Sequence, residues 1–121
     1  MNPRIVKPQS LHEFETPEGC SIAQNWASEK VSIAHARVKP GITTLPHHLE
    51  GVDEIYLIVK GKGRVEAGTV EPTDVAEGDT VFIPAGTSQR ITNIGKTDLV
   101  FYCICTPRFT ENCYRDETPQ E

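Results

Sequence analysis

The sequence predicts an all-β protein, an antiparallel sandwich or closed barrel. Nine glycines and nine prolines cut the 121 residues into short runs rich in valine, isoleucine and aromatic side chains. These runs recur about every ten residues, as short antiparallel strands joined by turns do. No window of a dozen residues sets apolar side chains at the spacing of an amphipathic helix.

The first run, "KVSIAHARVKPG" at 30–41, is rich in valine and isoleucine and ends in a Pro-Gly turn. "EIYLIVKG" (54–61), "GRVEAG" (63–68), "TVFIPAG" (80–86), "QRITNIG" (89–95) and "DLVFYCIC" (98–105) follow, each closed by glycine, proline or charge. "EIYLIVK" is apolar on both faces, which predicts a central strand covered on both sides. Residues 1–20 carry few apolar groups and are expected to form an arm ordered by docking. The tail, 106–121, is similar, with Phe109 and Tyr114 as anchors. The whole, 1–121, is expected to be a single domain with its barrel core at about 31–105.

A net charge of −5 and scattered lysines and arginines argue against nucleic acid or an anionic membrane as partner. "MNPRIVKPQS" lacks the apolar core of a secretory signal, and "LVFYCIC", the longest apolar run, is far short of a bilayer span. The expectation is a soluble, cytoplasmic protein. Its four cysteines read as buried thiols: Cys103 and Cys105 on one strand lie too far apart for a good disulfide, and no Cys-x-x-Cys is present.

Two glycine-framed stretches carry the specific signal. The first runs Gly41, His47, Leu49, Glu54, Gly61; the second runs Gly78, Pro84, Gly86, Gln89, Asn93. Their spacing resembles the two motifs of the cupin superfamily, G-x5-H-x-H-x3–4-E-x6-G and G-x5-P-x-G-x2-H-x3-N, at eight of ten defining positions. The resemblance implies a double-stranded β-helix, the cupin or jelly-roll barrel. It also implies a divalent metal inside, held by three histidines and one glutamate. The matching positions here are His47, Leu49, Glu54 and Gln89, so two of the histidines are replaced.

Leucine ligates nothing, and an amide oxygen binds first-row metals more weakly than imidazole. His47, Glu54 and Gln89 remain as an N/O/O set able to hold Zn, Mn, Ni or Fe weakly. By strand parity His48 points away from His47, and it reaches the site only if residues 46–50 form a loop. His35 is either a cavity-lining residue or an ordinary wall histidine. Without metal, Glu54 would orient the His47 imidazole as a general base or a carboxylate-binding pair. A structural reading also stands, in which Leu49 fills a relic site. Tyr56 and Ile58 share the face of Glu54, and Ile91 and Asn93 that of Gln89, which outlines an apolar cavity with a few polar groups. Tyr56 is either core or a hydrogen-bond donor to a ligand; Asn93 closes a turn.

Two functional expectations follow. One is a barrel that binds a small polar metabolite beside an altered metal site. The other is a metal-dependent isomerase, epimerase, lyase or dioxygenase using His47 and Glu54. Either is expected as a homodimer paired through its sheets.

Overall fold

The computed structural model describes residues 2–119; Met1, Gln120 and Glu121, the outer ends of the expected arm and tail, lie outside the described residues. The strands are β1 (Phe14–Glu15), β2 (Ser21–Ala27), β3 (Ser32–Val38), β4 (His47–Leu49), β5 (Asp53–Lys60), β6 (Lys62–Ala67), β7 (Thr73–Ala76), β8 (Thr80–Ile83), β9 (Gln89–Asn93), β10 (Leu99–Thr106) and β11 (Tyr114–Asp116). They form two antiparallel sheets. One has the order β1-β2-β3-β10-β5-β8 and the other β11-β4-β9-β6-β7. The fold is the all-β double-stranded β-helix, as the sequence predicts.

Strict alternation builds the interior. Along β5, Glu54, Tyr56 and Ile58 are buried, and along β9 so are Gln89, Ile91 and Asn93. Val38, Ile58, Ile83, Ile91 and Leu99 are each at most 1 % exposed, and Tyr56 packs on Phe101 with ring centroids 4.7 Å apart. Each isoleucine or leucine so buried stabilises the fold by roughly 1.5–3 kcal/mol relative to an exposed one. Asn93 closes its turn as expected: its amide donates to the carbonyls of Val38 and Thr97, and its oxygen accepts from the Gly95 N–H, all at 2.8 Å.

Paired strands extend past both ends of the 31–105 stretch. β2 hides in "SIAQNWA", where polar Gln24 and Asn25 and an irregular register between Gln24 and Trp26 break the alternation. The arm docks by pairing β1 with β2, and the tail by pairing β11 with β4. The outer face of β5 stays partly open, with Leu57 and Val59 about two-fifths exposed.

Candidate ligand site inside the barrel

Register brings the expected residues together. His47 on β4 lies directly across from Gln89 on β9, while Glu54 sits on β5 in the facing sheet. His47 and Glu54 are each 7 % exposed and Gln89 2 %, so the cluster is closed from solvent. The Tyr56 hydroxyl donates to Gln89 Oε1. That fixes the amide with its oxygen on Tyr56 and its NH2 toward Glu54.

Glu54 is the unusual member. Its Oε1 is buried and has no hydrogen-bond partner. Burial pushes its carboxyl above the ordinary range, opposed by the His47 imidazole and by hydrogen bonding to Gln89 and Cys103. A buried polar atom left unpaired costs about 1–3 kcal/mol. Burial raises Tyr56 in the same direction and well beyond its usual value, with Glu54 adding to it, so the phenol keeps its proton.

The ring of His47 is held from outside the two motifs. Its Nδ1 lies 3.2 Å from the Leu45 carbonyl oxygen and 3.6 Å from Glu18 Oε2. Both are acceptors, so in the neutral ring the proton sits on Nδ1 and Nε2 keeps its lone pair. Tyr114 stacks on the imidazole at 4.7 Å and 19°, and its hydroxyl donates to Glu18 Oε2 at 3.4 Å. Arm and tail thus meet over the histidine. Glu18 left no signal in the sequence, because the arm has no periodicity from which to read direction. Tyr114 left a weak one, as a lone aromatic in a polar tail.

Two candidate residues are not in the site, His48 as strand parity predicts and His35 as the wall-histidine alternative has it. His48 faces away from His47, with Nδ1 2.6 Å from Glu117 Oε2, because β4 keeps regular strand alternation through residues 47–49. His35 is on the outer face of β3 beside Tyr102 and Glu13, because the inward positions of that strand are Ala36 and Val38. Ile91 is where parity put it, in the apolar wall. Leu49 points inward and packs with Val52, Cys105 and Cys113.

Metals are common in cupin barrels, but this donor set fits one poorly. Among the described residues no three histidine, cysteine, aspartate or glutamate side chains come together as metal ligands. The oxygen of Gln89, a weak ligand, already accepts from Tyr56, and His48 is turned outward. No cysteine joins His47 and Glu54 in such a group. Burial pushes Cys20 up to about 12 and raises Cys103 and Cys105 as well, so in the metal-free protein they are thiols. All four cysteines are free, with Cys20, Cys105 and Cys113 buried and Cys103 partly so.

A small closed barrel with one interior polar cluster is the class of protein this geometry defines. The family model described as a cupin domain matches residues 34–105, and the chain belongs to that family. An uncharacterized protein of Methanocaldococcus jannaschii is 37 % identical over 81 residues, covering 67 % of this chain and 64 % of the relative. The oxalate-binding protein of Thermotoga maritima is 35 % identical over 71 residues, covering 59 % and 58 % respectively. The chain therefore spans somewhat under two thirds of the length of these two relatives. Among solved structures, KdgF from Halomonas sp. superposes with a TM-score of 0.83 at 17 % identity, covering 92 % of this chain and 99 % of that one. The Streptomyces nucleoside dehydratase Pac13 superposes at 0.82 and 13 %, covering 99 % and 95 %. At such identities these two show the shared fold. No helix among the described residues is long and apolar enough to cross a membrane.

Proposed function

We propose that the barrel binds a small polar metabolite carrying a carboxylate or carbonyl oxygen, and does so without a resident metal. The carrying observation is the unpaired, buried Oε1 of Glu54 beside His47. A ligand group that donates to Glu54 Oε1 would satisfy the acceptor the protein leaves open. Tyr56 positions the amide, Ile91 supplies apolar wall, and the name of the Thermotoga relative supports an acidic ligand. Entry requires Tyr114 to leave the face of His47, because the cluster is otherwise covered.

The test is a thermal-shift screen of small mono- and dicarboxylic acids, oxalate included, on chelator-treated protein. A binder at 100 times its dissociation constant adds about 2.7 kcal/mol. His47→Ala should remove the stabilisation while the protein stays folded. Stabilisation by none of the acids, or stabilisation undiminished in the variant, contradicts the proposal.

A second reading rests on the tautomer of His47. An Nε2 lone pair on a ring whose Nδ1–H faces the Glu18 carboxylate is the arrangement of a general base. In that reading the bound metabolite is transformed by proton transfer, and Glu18→Gln lowers turnover more than affinity.

For the assembly, we propose a homodimer joined through the outer face of the six-stranded sheet. Register aligns Trp26, Ile33, Ile104, Ile55 and Phe82 in a single row across five strands. Phe82, at the edge, is 59 % exposed. Such a row can meet itself about a twofold axis, each copy covering the other.

A further inference from the structure

After β10 the chain turns back through residues 107–113 and pairs β11 with β4, which lays Tyr114 on the His47 ring. Few bonds hold this strap. The Arg108 N–H donates to the Glu29 carbonyl at 3.5 Å, the Phe109 N–H to Ser32 Oγ at 2.9 Å, and the Cys113 carbonyl accepts from the Glu50 N–H at 2.8 Å. Its buried anchor is a small cluster separate from the main core: Leu49, Val52, Cys105 and Cys113, with Tyr114 packed against it.

Two of those four buried residues carry thiols. Cys105 lies in β10 and Cys113 in the strap, and both are free, 3 % and 6 % exposed. Cys113 helps to raise Cys105, so the two sulfurs lie within electrostatic reach of each other. The pair is not sealed off. Cys113 lines an open groove of about 430 Å³, together with Glu29, Val52, Pro107, Arg108 and Asn112. A reagent entering the groove meets Cys113 first, because Cys105 is not among its walls.

We infer that Cys105 and Cys113 are a redox pair, which a small-molecule disulfide oxidises to a protein disulfide that fastens the strap with Tyr114 over His47. The Cys113 thiolate attacks one sulfur of the reagent; a mixed disulfide forms, and one thiolate leaves and takes up a proton. The Cys105 thiolate then attacks the Cys113 sulfur, the protein disulfide forms and the second thiolate leaves. The protein loses two S–H bonds, and the reagent is reduced to two thiols. Burial keeps Cys105 protonated, so the second exchange is the slower one. The closed loop is short, and it restricts the open forms of the strap. That a fastened strap bars a ligand rests on the acid-binding reading of the barrel; the cross-link itself does not.

Oxidised glutathione added to the folded full chain tests it, read by mass spectrometry and amide hydrogen exchange. A glutathione adduct on Cys113 is expected first, converting to a protein lighter than the reduced chain by a pair of hydrogens. Trypsin cuts after Arg108, so a Cys105–Cys113 bond joins the peptides on either side of that cut, and fragmentation tells Cys105 from Cys103. Exchange across β11 should slow at least about tenfold on oxidation and recover with dithiothreitol. Cys105→Ala should stop at the adduct; should that variant lose its dispersed spectrum, the wild-type peptide map decides. An adduct that never converts, a cross-link to Cys20 or Cys103, a chain that resists the reagent until urea is added, or β11 exchange indifferent to oxidation each overturn the inference. A failed acid screen at His47 would leave the cross-link and exchange results untouched.

Discussion

Glu54 owes its behaviour to where it is buried, and that gives it a pH signature. Burial raises the folded-state pKa above the ordinary 4.5, so the native protein holds this proton more tightly than the unfolded chain. The stability it contributes is therefore complete below the ordinary value and is lost as pH rises through the raised one. Each unit of displacement corresponds to about 1.4 kcal/mol. Glu54→Gln removes the titration while keeping the shape. Urea denaturation from pH 4 to pH 8 should then show the wild type losing ground to Glu54→Gln steadily as pH rises. Asp116 and Glu117, lowered by hydrogen bonds to Thr118 and His48, trend the other way, but identically in both proteins. A difference independent of pH would contradict the assigned burial. The wall residues of this cluster were legible because strand parity is a local rule. Glu18 and Tyr114 were not, because their contacts with His47 depend on where two chain ends fold back.

Among the elements, the β5–β6 connection is the least forgiving. Gly61 has φ +88°, and a Cβ there would stand 2.7 Å from the Asp98 carbonyl oxygen. Gly78 has nearly the same φ, +90°, but nothing within 4 Å. Gly78→Ala should cost only the left-handed backbone strain, about 1–2 kcal/mol. Gly61→Ala adds a backbone clash and should cost distinctly more, as the shift in denaturation midpoint would show. The longer strands from 31 to 105 could be read in the sequence because each runs between glycine, proline or charge. β4, only three residues long, and β7 are too short to display a period. β2 is masked by polar residues, and β11 becomes a strand only because β4 offers it an edge.

At the scale of the whole molecule, the doubly apolar β5 finds its inner cover within the chain. Its outer row is only partly covered, and Phe82 at its end is exposed. Sedimentation should give a mass near twice the chain's 13.4 kDa. Phe82→Asp should shift it to the monomer; a wild type that sediments as a monomer disposes of this interface. The two absent motif histidines were visible in the sequence. What the sequence could not show is that Tyr56 donates to the Gln89 oxygen, a contact between the two sheets. The central claim, metal-free capture of a small acid by that cluster, is tested most directly by nuclear magnetic resonance. Protein freed of metal by chelator would be titrated with the acid that stabilises it best, following the side-chain signals of His47 and Gln89. The account predicts that both signals move and saturate together, and that adding zinc or manganese leaves the affinity unchanged. Signals that stay still without metal and move only after it is restored would contradict it.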